Sequence, residues 1–153
     1  MSSRTDRIES PVLLKAPRAR AWRAFSNAGE FGSWFGVALK GGAFTVGQRV
    51  RRPVTYTGYE HVVFAVLIDR LEPECCLCWR WHPAAIQRGV DYSQEATTLV
   101  VFELKEVDGG TLLSVVESGF DKVPPPRRAG AFRMNSGGWD EQMKNIDAHV
   151  ATR

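Results

Sequence analysis

The C-terminal segment of this 153-residue chain imposes the strongest constraint on its fold. After the run Pro124-Pro125-Pro126, apolar and small residues recur at steps of three and four along residues 127–150, which is the period of an α-helix. The residues of this stripe are Phe132, Ser136, Trp139, Met143, Ile146 and Val150. A long helix with one apolar stripe has to bury that stripe against another element. The rest of the chain must therefore supply a large apolar surface that receives the helix.

The segment between Gly36 and Gly119 has the pattern of an antiparallel sheet that supplies this surface. Turn-forming residues separate stretches rich in Val, Thr, Phe and Tyr, and Asp108-Gly109-Gly110 is the clearest hairpin turn. Pro53 indicates an edge strand or a bulge, because proline cannot donate to a strand ladder. Residues 83–96 are predicted to form a long loop of the kind that covers a site. We predict strands near residues 7–15, 37–45, 48–57, 61–71, 74–82, 97–106 and 111–119.

Two short helices are predicted between the first strand and the rest of the sheet. Pro17 opens the first helix at the position where a missing N–H costs least, and the second helix carries Phe31, Trp34 and Phe35. The order of one strand, two helices, six strands and a long helix predicts an α+β fold. In that fold a curved antiparallel sheet wraps around the C-terminal helix, and residues 1–153 form a single domain.

Charge and hydropathy argue against two classes of function. The formal net charge is only +3, and the arginines are spread over several segments of the sequence. A nucleic-acid binder would gather them into one stripe with stacking aromatics, so no nucleic-acid partner is predicted. No apolar run approaches the about 20 residues needed to span a bilayer. The first fifteen residues are too charged for a signal peptide, so we expect a cytoplasmic protein.

The cysteines are predicted to be small strand hydrophobes. Cys75, Cys76 and Cys78 crowd one segment, and the histidines lie far from one another in the sequence, so no second cluster of ligands accompanies them. A reduced thiol packs as a small apolar group. We therefore predict no metal site and no cofactor.

Glu117 is the most informative polar residue of the predicted sheet. Strand alternation places it on the same face as Leu113 and Val115, and a carboxylate in an apolar row must be solvated, paired or protonated. It is either the polar anchor, acid or base for a bound ligand, or a structural partner of an arginine or histidine, or exposed at the strand's end. His82 is open to the same choice between a catalytic and a structural role. No nucleophile motif accompanies these residues, so we assign no catalytic residue.

Aromatic residues supply the other candidates. Trp79 and Trp81 share one strand face and would form a broad wall for an apolar ligand, or ordinary core beneath the last helix. Gly137 and Gly138 each cost that helix about 1 kcal/mol relative to alanine, which indicates close approach by a strand, by Trp34 or by a ligand. The predicted ligand-binding set is Trp34, Phe44, Trp79, Trp81, Phe102, Val115, Glu117, Trp139 and Met143.

Five segments together resemble a known family. They are KAPRARAWRAFSNAGEFGSWFG (15–36), GGAFTVG (41–47), WRWHP (79–83), GGTLLSVVESGFD (109–121) and GGW (137–139). Their order and spacing resemble the START-like (SRPBCC) superfamily, and within it the proteins similar to the C-terminal domain of the activator of Hsp90 ATPase. The resemblance extends from Ile8 to Val150.

The resemblance implies a helix-grip fold, in which a seven-stranded antiparallel sheet and the C-terminal helix enclose a cavity. Members bind lipids, polyketides or other hydrophobic molecules, some act as cyclases or hydrolases, and others assist chaperones. We expect a small hydrophobic ligand, carried or sensed without a cofactor. The alternatives are a cyclase or hydrolase that uses Glu117 with His82, and a modulator of an Hsp90-type chaperone. An edge strand would also permit a homodimer.

Overall fold

The computed structural model describes residues 6–151 and confirms the α+β class. Strand β1 is followed by helices α1 and α2, five further strands and the long helix α3. A single 3-10 turn, Phe120–Lys122, joins the last strand to α3. The bounds are β1 Arg7–Leu14, α1 Arg18–Ser26, α2 Ala28–Phe35, β2 Arg49–Pro53, β3 Val63–Glu72, β4 Cys76–Trp81, β5 Thr98–Val107, β6 Gly110–Ser118 and α3 Pro125–Ala151.

The strands form one antiparallel sheet in the order β1-β6-β5-β4-β3-β2. The hairpin between β5 and β6 turns at Asp108-Gly109, as predicted, with Val107 opposite Gly110. Gly110 cannot be replaced there, because its φ is +149° and a Cβ atom would lie 2.0 Å from the carbonyl oxygen of Leu14. Pro53 ends β2, which is an edge strand as the sequence predicts.

The predicted strand at residues 37–45 is wrong, so residues 6–151 contain six strands and not the expected seven. That segment makes only isolated bridges, one between Val37 and Val54 and one between Asn27 and Ala43. Gly42 has a φ of +121°, which turns the chain away from an extended path. The carbonyl oxygen of Gly42 then accepts a hydrogen bond from the N–H of Ala28 at 2.7 Å. Residues 37–45 therefore fold back toward the start of α2 and do not pair continuously with β2.

Helix α3 buries its predicted stripe. Trp139, Met143, Ile146 and Val150 are all buried, whereas Phe132 and Ser136 are half-buried. The helix lies against β1 and the two short helices. Among its polar contacts, Ser10 Oγ donates to Asp140 Oδ1 at 3.0 Å, and Gln142 Nε2 donates to the carbonyl oxygen of Phe35 at 2.8 Å.

Neither a strand nor Trp34 approaches Gly137 or Gly138 closely, so the expected packing contact is wrong. Both glycines are exposed, and a Cβ atom added to either would meet nothing within 4 Å. The close approach occurs at Gly32 in α2, where a Cβ would lie 2.4 Å from the carbonyl oxygen of Val37. The two helix glycines therefore lower the helical propensity of α3 without relieving any contact.

Within residues 6–151, no helix has both the length and the apolar character that a membrane crossing requires.

Candidate functional site

Glu117 lies on the inner face of the sheet, beneath α3. It stands on β6 between Ile8 of β1 and Val100 of β5. Its exposed fraction is 0%, and Leu113 and Val115, which precede it on the same face, are equally buried. The alternation of β6 therefore points this carboxylate into the apolar core, as the sequence predicts.

Four side chains donate hydrogen bonds to the Glu117 carboxylate. Trp81 Nε1 and Thr98 Oγ1 donate to Oε2, at 2.8 and 2.5 Å. Asn135 Nδ2 and Trp139 Nε1 donate to Oε1, at 2.9 and 2.8 Å. The first two donors belong to the sheet and the last two to α3, so the carboxylate joins the two layers of the fold.

The donors around Glu117 are neutral, and none is the arginine or histidine considered from the sequence. Indole N–H groups can only donate, so an oxygen that faces one must accept. A carboxylate offers about four acceptor positions, and here four donors occupy them. The protein thus satisfies the Glu117 side chain, and a ligand would reach it only by replacing one of the donors.

Aromatic side chains fill the space between the sheet and α3. We call this set the aromatic cluster: Phe25, Phe31, Trp34, Phe35, Phe44, Phe64, Trp79, Trp81, Phe102 and Trp139. Trp79 is surrounded by six other rings of the cluster, with centroids 5.0–6.5 Å away. Trp81 stacks on Trp139 with centroids 5.8 Å apart.

The fold gathers the predicted ligand-binding residues in and around this cluster. Trp34, Phe44, Trp79, Trp81, Phe102 and Trp139 are members, as the ring contacts show. Val115 faces Phe102 across the β5–β6 ladder, and Met143 is buried one turn beyond Trp139. These side chains pack against one another, and Trp81 is the cluster's one half-buried member.

The indole N–H of Trp79 has no hydrogen-bond partner within the described residues, although the side chain is 1% exposed. The other indole groups of the cluster are paired: Trp34 donates to the carbonyl oxygen of Ala24 at 2.8 Å, and Trp81 and Trp139 donate to Glu117. A buried donor without an acceptor costs about 1–3 kcal/mol. Native proteins contain few such groups, so this donor calls for an explanation.

Two open grooves lie at the surface. The first has a volume of about 210 Å³ and runs between residues 39–44 and 48–52. Phe44 lines it and also contacts Phe31 of the aromatic cluster, with centroids 5.6 Å apart. The second, of about 480 Å³, follows the N-terminal half of α3, and that half also supplies Asn135 to Glu117. Its lining residues are Pro125, Arg128, Ala129, Phe132, Arg133 and Ser136.

His82 belongs to the attachment of the loop 83–96. Its Nε2 atom lies 3.0 Å from the main-chain oxygen of Glu95. The Glu95 carboxylate pairs with Arg127 at 2.7 Å, and Arg127 stacks 4.7 Å above the ring of Tyr92. These contacts fasten the loop to the start of α3. Within the described part of the chain, no hydrogen bond joins His82 to Glu117.

Two partners of Glu117, Asn135 and Thr98, were not identified from the sequence. Asn135 lies one helical turn before Trp139, so the spacing of the α3 stripe contained the signal that would have found it. Thr98 lies directly opposite Trp81 in the β4–β5 ladder. That pairing depends on the strand register, which the sequence pattern alone did not determine.

Comparison with known proteins supports the fold. A sequence-family model described as Activator of Hsp90 ATPase homolog 1-like protein matches residues 15–151. The structure of protein MLL2253 from Mesorhizobium loti is 19% identical, with a TM-score of 0.72 over 95% of this chain and 97% of that one. Protein NE0264 from Nitrosomonas europaea is 14% identical, with a TM-score of 0.74 over 99% and 98% of the two chains. DynU16, a protein in the dynemicin biosynthetic locus, is 20% identical with a TM-score of 0.70, and the match covers 96% of this chain and 48% of DynU16. No functionally curated protein matches the chain.

Proposed function

This chain belongs to the Activator of Hsp90 ATPase homolog 1-like family, and we propose that it binds a small hydrophobic molecule within the aromatic cluster, as a carrier or sensor. Lipids, polyketides and aromatic metabolites have the required apolar surface. The observation that carries the proposal is the buried, unpaired indole N–H of Trp79. Rings dominate the surroundings of that group, so a ligand with an apolar body would pack there.

The unpaired N–H also indicates a polar feature of the ligand. A carbonyl, ether or hydroxyl oxygen placed against Trp79 would accept the hydrogen bond that the protein does not provide. Such a bond contributes about 0.5–1.5 kcal/mol net, and it removes the cost of the unsatisfied donor. The favoured ligand is therefore an apolar molecule that carries one hydrogen-bond acceptor.

Binding requires the packed cluster to open. Trp81 is half-buried and stacks on Trp139 of α3, so its displacement would expose the rings behind it. Gly137 and Gly138 lie in α3 between Asn135 and Trp139, and each lowers helical stability by about 1 kcal/mol. Segments of low local stability open most often. We infer that the ligand passes where this part of α3 separates from Trp81.

The contacts of Glu117 and His82 do not favour the enzymatic alternative. The acceptor positions of Glu117 are occupied by protein donors, and His82 binds the main chain of Glu95. A general acid or base needs to reach the group with which it exchanges a proton. Modulation of a chaperone rests on the family description alone, and no contact within residues 6–151 adds to it.

A matched pair of ligands tests the proposal. Tryptophan fluorescence would be followed as 2-acetylnaphthalene and 2-ethylnaphthalene are titrated into the wild-type protein and into Trp79→Phe. We expect saturable binding of both compounds, with the ratio of their affinities shifted about three- to tenfold against the ketone by Trp79→Phe, the size of one hydrogen bond. Trp34→Phe is the control, because the Trp34 N–H is already paired with Ala24, and it should leave the ratio unchanged.

The two parts of the proposal fail separately. If neither naphthalene nor a panel of fatty acids and aromatic ketones binds saturably, the aromatic cluster is ordinary core and the binding function is wrong. If the compounds bind and Trp79→Phe leaves their affinity ratio unchanged, the assignment of Trp79 as the polar contact is wrong.

A further inference from the structure

The hairpin between β3 and β4 brings one carboxylate and two thiols together. A carboxylate oxygen of Glu72 and the Sγ atoms of Cys75 and Cys76 all lie within 4.8 Å of one another. The sequence pattern shows no second ligand group near these cysteines, and the structure supplies one from the facing strand. Glu72 stands directly opposite Cys76 in the β3–β4 ladder.

The main chain holds these three residues in place. The N–H of Cys75 donates to the carbonyl oxygen of Glu72 at 3.0 Å, which closes the turn. The carbonyl oxygen of Cys75 accepts from the N–H of Leu104 in β5 at 2.8 Å. Glu74, which lies between Glu72 and Cys75 in the sequence, has a φ of +59°, in the left-handed region. Since the backbone is already ordered, a bound ion would need to organise only side chains.

The chemistry of the three groups selects a class of ion. Thiolate ligands prefer soft and borderline metals, and zinc accepts a carboxylate beside sulfur. Tetrahedral geometry with bonds of about 2.3 Å places two sulfur ligands about 3.8 Å apart. The Cys76 Sγ and Glu72 Oε2 atoms are already 3.3 Å apart, and no pair of the three ligand atoms is separated by more than 4.8 Å, so side-chain rotations would bring them to that geometry. Open zinc sites have three protein ligands and leave the fourth position to water.

Exposure and charge are compatible with such an ion. Glu72 and Cys75 are exposed and Cys76 is buried, so the fourth coordination position would face solvent. The Arg70 guanidinium pairs with Glu72. Two thiolates, one carboxylate and one divalent cation sum to a net charge of about −1, which the Arg70 charge would offset.

From this geometry we propose that Glu72, Cys75 and Cys76 bind a thiophilic divalent cation, of which Zn²⁺ is the representative. As each metal–sulfur bond forms, the thiol proton passes to solvent. The site is independent of the aromatic cluster, because these residues lie at the β3–β4 turn and none of them belongs to the cluster.

Cobalt is the probe for this site. The full-length reduced protein would be titrated with Co²⁺ under anaerobic conditions, and the absorption followed for thiolate-to-cobalt charge transfer and for the d–d bands of a four-coordinate ion. We expect both sets of bands, and their loss when Zn²⁺ is added. Cys75→Ser should weaken Co²⁺ binding at least tenfold and lower the intensity of the charge-transfer band at saturation, because one of the two sulfur ligands is lost, and Glu72→Gln should weaken binding without lowering the intensity of the band.

Cys78→Ser is the matched control. Cys78 is a buried cysteine of the same strand, but it lies outside the group of three ligand atoms. It should leave the cobalt spectrum and affinity unchanged. Because Cys75 is exposed, its replacement should not disturb folding, and far-ultraviolet circular dichroism would verify this. Absence of thiolate-to-cobalt bands in the wild type, or equal losses in Cys75→Ser and Cys78→Ser, would overturn the proposal.

Discussion

Two buried polar groups beneath α3 are treated in opposite ways by the surrounding protein. The Glu117 carboxylate receives four hydrogen bonds from the sheet and the helix. The Trp79 indole, on the next strand but one, receives no acceptor from the described residues. A buried charge costs several kcal/mol unless hydrogen bonds replace its hydration, and at Glu117 they do. The protein thus supplies all four donors to the Glu117 carboxylate, and we call this group of five side chains the Glu117 centre. The Trp79 indole with its surrounding rings, the Trp79 centre, lacks one acceptor, and we propose that a ligand supplies it.

The largest expected effect tests the completeness of the Glu117 centre. In Glu117→Gln an amide NH₂ would replace one oxygen and would face an indole N–H, a donor that cannot reverse its role. We expect the free energy of unfolding, measured by urea denaturation, to fall by about 3 kcal/mol. Glu103→Gln, at an exposed position on β5, is the control and should stay within about 0.5 kcal/mol of wild type. A loss below 1 kcal/mol in Glu117→Gln would show that the four hydrogen bonds to Glu117 contribute little to the free energy of unfolding.

The next effect compares the two indoles directly. Trp139→Phe and Trp79→Phe remove the same atoms from side chains that are 2% and 1% exposed. Only the first also removes a hydrogen bond to a charged group, worth about 1.5–3 kcal/mol. We therefore expect Trp139→Phe to be less stable than Trp79→Phe by about 2 kcal/mol in urea denaturation. Equal stabilities would contradict the distinction between a paired and an unpaired N–H.

A smaller effect concerns the part of α3 beside the two centres. Gly137→Ala and Gly138→Ala should each raise the free energy of unfolding by about 1 kcal/mol, because alanine favours the helix and its Cβ meets nothing within 4 Å. The double variant should also slow association of the naphthalene ligands in stopped-flow fluorescence. Gly32→Ala is the contrasting control, since its Cβ would strike the Val37 carbonyl oxygen, and it should destabilise. Destabilisation by all three changes would argue against a loosely held segment in α3.

The smallest effect contrasts Glu30, whose partners include two arginines, with Glu117, whose four donors are neutral. Burial by itself would raise the pKa of Glu30, but the hydrogen bond with His149 and the charges of Arg20 and Arg23 outweigh it, so the pKa lies below its ordinary value of 4.5. A carboxyl group with a lowered pKa stabilises the fold above its unfolded-state pKa. That contribution is lost as the pH falls below about 4.5 and through the folded-state pKa. Glu30→Gln should reduce the loss of thermal stability over this acidic range and leave the Glu117 centre intact. An unchanged pH profile would mean that the ion-pair contacts of Glu30 do not contribute.

Sequence periodicity predicted which faces are buried, but not how the space between them is filled. The α3 stripe, the Asp108-Gly109 turn and the inward direction of Glu117 were predictable because each follows from local spacing. Which indole and amide groups reach Glu117 depends on the strand register and on the position of α3 against the sheet. The filling of the interior depends on the rotamers of large rings such as Trp81, and no spacing rule determines them.

Two predictions failed for local reasons. Residues 37–45 have a strand-like composition, but the chain turns at Gly42, and the Gly42 carbonyl oxygen accepts a hydrogen bond from the N–H of Ala28. The cost of two glycines in α3 indicated close approach by a strand, by Trp34 or by a ligand, whereas the close contact with protein atoms occurs at Gly32 of α2. Composition identifies glycines that break a pattern, and only the fold shows which of them is required by a neighbour.

The most direct test of the proposed ligand site is the indole region of a ¹H–¹⁵N correlation spectrum, recorded during titration with 2-acetylnaphthalene. The chain contains five tryptophans, and the Trp79 signal would be assigned by its absence in Trp79→Phe. We expect the Trp79 N–H resonance to move downfield in proportion to bound ligand as it gains an acceptor, while the already paired Trp34 N–H stays in place. A saturating ligand that leaves the Trp79 resonance unmoved would contradict the account.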